Sequence, residues 1–462
     1  MNTFLTRRAA LALALAACAA PAQPAPEAPA PSPAPVTVGR LFTVPRTTGT
    51  SLGWNTGTAC YELAQSAADY DRSARVLKTD YATGRQEPVC KVPGCTHDSE
   101  RCPAWLPNWE RHSLLVLGEE VFLLYTGFSP AEREALYGRP WEEYWATAYD
   151  SIVESGALDA IADMDAYKES VRADYALGRS PGYLDKISAD GAARSRVFTL
   201  SDARSWNAVD FQWCDGAALY GVQVDPYQQL ATALVRLDLA TGEAQDCPLL
   251  DNEQVLGVEG SRFVTVRYVS DEPLDPNADP ELYNARMQNA TAEFGLLTFP
   301  TGEREVLFRE PNDRTVFLNG FLGVRDGVLY FEKHNAAGDG LQIVARDLSG
   351  AARVVTEEFP SQDLWVRGDR IDILLPVGGS DPLRRLLLEN LDGQRYVLNV
   401  ETGEWQALPG QAVPVAQTAD GRWMVGTEFH TPGTYGRYNY ALLSPDDLFA
   451  GSKACDNVAM WP

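Results

Sequence analysis

A strand–turn–strand unit repeated along the chain, matching hairpins between its copies, and helical periodicity confined to one stretch predict an all-β fold. The architecture they favour is a β-propeller of about seven four-stranded blades, with a helical insertion in the second. The first copy of the unit spans residues 76–85 around Thr83-Gly84, and the second spans 234–243 around Thr241-Gly242. Weaker copies turn at Thr301-Gly302 and Ser349-Gly350, and the last clear one turns at Thr402-Gly403 before Trp405. Each joins two runs of alternating apolar and polar residues, and its glycine supplies the positive φ that short hairpin loops need. From the second copy onward the turns recur every 48 to 60 residues, near the blade length of kelch-type propellers.

Between these turns lie further apolar hairpin strands at 218–222, 263–267, 328–331, 371–375 and 423–426, several preceded by turns such as Asp326-Gly327 and Asp420-Gly421. One hairpin of this kind plus one Thr-Gly hairpin makes a four-stranded blade. Blades are therefore expected over 60–92, 114–207, 210–250, 255–309, 316–359, 364–409 and 415–448. Residues 41–44 are expected to close the ring by completing the last blade. A pair of β-sandwiches or an irregular β-solenoid is the competing architecture.

Residues 129–179 break the β pattern. Pro130 to Leu136 should open a helix with Ser129 as N-cap, and Ile152, Val153, Leu158, Ile161 and Met164 follow at helix-compatible spacing. Trp141, Tyr144, Trp145 and Tyr149 fall largely on one helical face. Burial against the propeller is the expected role of that face, ahead of a ligand platform.

The N-terminus carries a targeting segment. Arg7 and Arg8 form a positive n-region, and Ala9 to Ala17 an apolar stretch well short of the ~20 residues a permanent span requires. Leu15-Ala16-Ala17-Cys18 resembles the lipobox of bacterial lipoproteins at all four positions. That resemblance implies a signal peptide over 1–17, lipid attachment to the Cys18 thiol, and cleavage that leaves Cys18 first. Several acyl chains on one residue, at ~0.8 kcal/mol per buried CH₂, give a stable anchor. Residues 18–38, rich in Pro and Ala, should form a semi-rigid extended stalk. The remaining body, 39–462, is the expected propeller domain, outside the cytoplasm and anchored to a membrane of the cell envelope.

The formal net charge is −24, and loss of Arg7 and Arg8 with the signal lowers it to −26. No basic block offsets it, which excludes a nucleic-acid partner and fits a monomer whose only membrane contact is the lipid. The oxygen-rich stretch Asp275-Pro276-Asn277-Ala278-Asp279-Pro280-Glu281 lacks the glycine a calcium loop needs and reads as a solvated acidic loop.

The most site-like stretch is Cys90-Lys91-Val92-Pro93-Gly94-Cys95-Thr96-His97-Asp98-Ser99-Glu100-Arg101-Cys102. Cys90, Cys95, His97 and Cys102 could supply four ligands to zinc, the one cofactor the sequence suggests, although the spacing matches no standard finger. A disulfide within the loop is the favoured expectation for an exported protein. Of eight cysteines, seven remain once Cys18 is lipidated, so at least one cannot pair within the chain. With the lipobox and the repeats, the Pro-Gly-Cys-Thr-His turn resembles an uncharacterised family of bacterial β-propeller lipoproteins. The resemblance implies fold and location, and no activity or functional residue.

No nucleophile elbow, phosphate loop or dinucleotide fingerprint is present, and no catalytic residue is assigned. Three functions stay open. The first is a tethered module binding a protein, peptide or glycan, with Trp54, Trp105, Trp109, Trp206 and Tyr438 as candidate contacts. The second is a hydrolase or lyase on polysaccharide or peptide, with His, Arg and carboxylate converging at a channel mouth. The third is an envelope scaffold with an apolar patch on the insertion.

Overall fold

The computed structural model describes residues 37–44, 53–65, 73–108, 111–156, 158, 161, 163–225, 230–275, 279–312, 321–334, 341–356, 365–366, 385–389, 394–400, 402–409, 413–430, 437–451 and 455–461. The signal, Cys18, most of the stalk, Trp109 and residues 276–278 of the acidic loop lie outside them.

The strands form seven antiparallel sheets, each an up-and-down meander in chain order. Sheet one comprises Trp54–Asn55, Ala59–Gln65, Ala74–Asp80 and Arg85–Pro88, with Trp105–Leu106 added against its third strand. Sheet two comprises His112–Leu117, Glu120–Gly127, Pro181–Ile187 and Arg194–Thr199. Sheet three comprises Val209–Cys214, Ala218–Val224, Ala231–Asp238 and Ala244–Pro248. Sheet four takes Glu253–Glu259, Arg262–Val269, Thr291–Thr298 and Glu303–Pro311. Sheet five takes Phe321–Arg325, Val328–His334, Leu341–Asp347 and Ala352–Thr356. Sheet six takes Trp365–Val366, Arg385–Glu389, Arg395–Asn399 and Trp405–Leu408. Sheet seven takes Val413–Gln417, Trp423–His430, Arg437–Leu443 and Asp456–Asn457.

Apolar clusters link the sheets into a ring. Sheets one, two and three share a core containing Val76, Leu114, Leu124, Leu219 and Val235. Tyr220 of sheet three meets Phe263 and Phe299 of sheet four and its following turn. Phe294 of sheet four packs edge-on to Phe331 of sheet five. Ile343 of sheet five shares a cluster with Leu398 of sheet six, and Val397 of sheet six shares one with Trp423 of sheet seven. Met424 and Tyr440 of sheet seven then bury against Cys60 of sheet one and Tyr81 beside it. First and last sheets thus meet, and the architecture is a β-propeller. Fourth strands such as Arg85–Pro88 and Trp405–Leu408 alternate or face solvent, as outer edges should.

The Thr-Gly turns carry a device beyond the glycine. Asp238 Oδ1 accepts from the Ala240 and Thr241 amides, both at 3.0 Å, and from the Thr241 hydroxyl. Asp80 does the same for Ala82 and Thr83, and Asp347 for Ser349 and Ala351. The acid caps amides the turn would leave unpaired, and the glycine beyond it takes φ of +63° at Gly84 and +75° at Gly242.

The N-terminal strand differs from expectation. Phe42 and Thr43 pair with Cys214 and Trp213 of sheet three rather than completing the last sheet, and Leu41 is buried between sheets three and four. Asp456–Asn457 fills the fourth place in sheet seven. The chain then crosses to sheet one, where the Gln86 amide donates to the Ala459 carbonyl at 2.9 Å and the Ala459 amide to Gly84 at 2.8 Å.

Between the second and third strands of sheet two lie helices α1 (Pro130–Tyr137), α2 (Trp141–Ser155) and α3 (Met164–Arg179). Ser129 caps α1 in a full capping box with Glu132, and Asp163 caps α3. The aromatic face of α2 packs chiefly inside the insertion, a correction to the expected burial on the propeller. Trp141 and Tyr144 meet Tyr175, and Trp145 meets Tyr167, both on α3. Helix α4 (Pro280–Gln288), capped by Asp279, occupies the corresponding connection of sheet four. Among the described residues no helix is long and apolar enough to cross a membrane.

Candidate metal centre

The fourth strand of sheet one leaves Cys90 buried two residues past its end, and the chain then turns through Gly94 at φ +72°. Backbone bonds from Cys95 to Val92 and from Cys102 to Ser99 fold the segment back on itself. Four potential ligand atoms, from Cys90, Cys95, His97 and Cys102, converge so that all lie within 4.8 Å of one another. His97 Nδ1 is 3.3 Å from Cys102 Sγ. Cys90 and Cys102 are buried, while Cys95 and His97 are half-buried.

His97 adopts φ +60°, a left-handed backbone uncommon outside glycine. Two contacts hold it there. Arg75 Nε donates to the His97 carbonyl at 2.7 Å, and the Trp461 ring sits edge-on to the imidazole at 5.4 Å. Partial burial, then the Arg75 and Lys91 charges, lower the His97 pKa and favour the neutral ring a metal requires. Burial and the neighbouring thiols push the Cys102 thiol up to about 12.

All seven described cysteines carry free thiols in this structure. Three thiols gather around one point with an imidazole, instead of two pairing and leaving the third aside. Cys60 is buried in sheet one and Cys214 and Cys247 on the first and fourth strands of sheet three, and burial pushes Cys214 up to about 12. They are packing residues.

The other candidates separate. Trp54 and Trp206 are core residues, Trp105 and Tyr438 are half-buried, and Asp279 is a helix cap. Among the described residues of the insertion, Tyr149, Val153 and Leu158 are the exposed large apolar side chains.

Two polar clusters were missed from the sequence. Arg111 Nε lies 3.1 Å from Asp174 of α3, its Nη2 donates to Tyr137 at 2.6 Å, and Asn108 also donates to Asp174. Beside them His112 is fully buried, with Nδ1 2.6 Å from the Asn108 carbonyl and Nε2 3.1 Å from the Tyr183 hydroxyl. His, Arg and carboxylate do converge here, but in the packed seam between sheet two and its insertion, where they anchor the helices. The second cluster is Glu62, which accepts from Gln86 at 2.6 Å and from Tyr440 at 2.7 Å across the seam of sheets one and seven. Nothing local marks either set, because the partners are far apart in sequence.

A cleft of about 370 Å³ opens between sheets one and two, lined by Tyr61, Lys78, Arg85, Glu87, Lys91 and Glu119 among others. Its charges are mixed, and Lys91 already pairs with Glu87.

No family model matches the chain, and no curated protein matches it. Solved structures do. The β-propeller domain of the trilobed protease from Pyrococcus furiosus is 8% identical, with 92% of this chain and 98% of that one covered and a TM-score of 0.43. An oligogalacturonate lyase in complex with manganese is 14% identical over 60% of this chain and 71% of that one, with a TM-score of 0.36. An uncharacterised Listeria monocytogenes protein is 9% identical over 87% and 95% respectively, at 0.39. Likeness at this level transfers no activity, substrate or metal.

Proposed function

We propose that the chain is an extracytoplasmic propeller, each sheet one blade, tethered through lipidated Cys18 and binding a protein, peptide or glycan on the face turned away from its tether. The supporting observation is the polarity of its connections. In an up-and-down sheet, the first and third turns lie at one end of the strands and the second at the other. The N-terminal segment arrives at the first-turn end: the Gly39 amide donates to Asp215 of sheet three, and Leu41 to Gly260 in the first turn of sheet four. Short Thr-Gly turns share that end within their sheets. The connections carrying α1–α3 and α4 are both second connections, at the opposite end. Elaborated loops opposite a tether suit recognition by a rigid scaffold.

A photo-crosslinking residue at Tyr149, on the insertion, or at Thr241, on a short turn, tests this in cells. Crosslinks to a discrete envelope partner are expected from position 149 and not from 241. Equal labelling from both, or none from 149, removes the proposed face. Cys18→Ala should release the protein from the membrane fraction; retention there removes the tether.

A further inference from the structure

We infer that Cys90, Cys95, His97 and Cys102 bind one zinc ion, and that this ion clasps the closing seam of the ring. This goes beyond the binding role and does not depend on it. A tetrahedral site with Zn–S of about 2.3 Å and Zn–N of about 2.0 Å has ligand–ligand edges of about 3.5 to 3.8 Å. The His97–Cys102 separation of 3.3 Å and the 4.8 Å limit on every pair bracket those edges, so small side-chain adjustments complete the site. Binding is ligand exchange without redox change. Each sulfur gives its lone pair to the metal and its proton to solvent, Nδ1 gives a lone pair, and water leaves the ion. Three thiolates, a neutral imidazole and Zn²⁺ carry one net negative charge, and Arg75 stands beside it on the His97 carbonyl. Soft thiolates with one imidazole select zinc over calcium or magnesium.

The clasp follows from what the four ligands touch. Cys90 lies two residues past the last strand of sheet one, and Cys102 precedes Trp105–Leu106, which pairs back onto that sheet. The adjoining Lys91 amide donates to Gly191 of sheet two at 3.0 Å. His97 carries Trp461, whose amide donates to Gln86 Oε1 at 3.3 Å just beyond the Ala459 crossing from sheet seven. One ion therefore fixes the loop on which the segment from the last sheet rests.

The test uses the full mature chain, as Cys18→Ser for solubility. Elemental analysis should give one zinc per chain, and cobalt(II) exchanged into it should show tetrahedral thiolate bands. Cys95→Ser, at a half-buried position, should lose both while the chain stays folded by circular dichroism. Arg75→Ala should weaken zinc binding 10–100-fold by releasing His97, as loss of an outer-shell partner does. Chelation should speed hydrogen exchange at the Gln86 and Ala459 amides and leave sheet-four amides unchanged. Substoichiometric zinc, or a disulfide among Cys90, Cys95 and Cys102, overturns the site. Unchanged exchange at Gln86 and Ala459 after chelation overturns the clasp. None of these readouts involves the partner or the lipid.

Discussion

Acidification should loosen the seam between sheet two and its insertion through His112. This ring is fully buried, with its Nδ1–H donating to the Asn108 carbonyl and its Nε2 accepting from Tyr183. Burial, opposed by the Asn108 bond and reinforced by the Arg194 charge, lowers its pKa from 6.5 to about 4. The unfolded chain thus takes up a proton as pH falls through 6.5, and the native one does not until about 4. Stability is fully present above 6.5 and is lost on the way down to about 4, by about 3 kcal/mol at 1.36 kcal/mol per unit. His112→Gln keeps an amide donor and a carbonyl acceptor but does not titrate. Urea unfolding of both proteins between pH 7 and pH 4 should show the variant less stable at neutral pH and the gap closing by about 3 kcal/mol on acidification. A gap that stays constant across this range would falsify the assignment of a neutral, desolvated imidazole, whatever other groups titrate in both proteins.

Three further substitutions discriminate turn strain from packing and test the closing seam. Gly84→Ala meets no atom within 4 Å but must hold φ +63°, so thermal unfolding should show a cost of about 1–2 kcal/mol. Gly403→Ala adds a contact of 2.1 Å with the Val355 carbonyl to φ +74°, and should cost roughly 3 kcal/mol or more. Equal effects at the two positions would remove the packing argument. Tyr440→Phe takes a hydroxyl donor from the buried Glu62 carboxylate and should cost about 1–3 kcal/mol in urea unfolding; a neutral substitution would mean that another group or water already serves Glu62.

What was legible in the sequence was local. The Thr-Gly turns announce themselves because a positive φ within a few residues of an alternating run is a short-range demand. The capping role of Asp80, Asp238 and Asp347 is equally local and could have been read from the acid three or fewer residues before each Thr or Ser. Ser129 and Glu132 marked the start of α1 for the same reason. The four candidate ligands at 90–102 were legible because thirteen residues of chain hold them all, but the sequence alone could not show the left-handed turn at His97 that brings its ring to the three thiols. Pairing of Phe42 with Cys214 was beyond local patterning, since a two-residue strand is apolar enough for any sheet edge. Arg111 with Asp174 and Glu62 with Tyr440 were hidden too, because a buried ion or carboxylate is identified by the partner the fold brings to it.

The distribution of polar groups around the ring has a physical logic. Neighbouring sheets meet through apolar clusters, and consecutive chain keeps them adjacent, so their register is already limited by the connections between them. The seam between sheets seven and one has no such covalent guide, and apolar contact alone would tolerate a slip along the strands. Directional bonds cross it: Asn55 donates to the Gln417 carbonyl, the Ala419 amide to Gly57, Arg422 to the Tyr81 carbonyl, and Tyr440 to Glu62. A shift of one residue would take the Tyr440 hydroxyl away from the buried Glu62 carboxylate, a cost of about 1–3 kcal/mol. Polar residues at this junction therefore select the register in which the ring closes, and the Ala459 crossing and Trp461 follow from that choice.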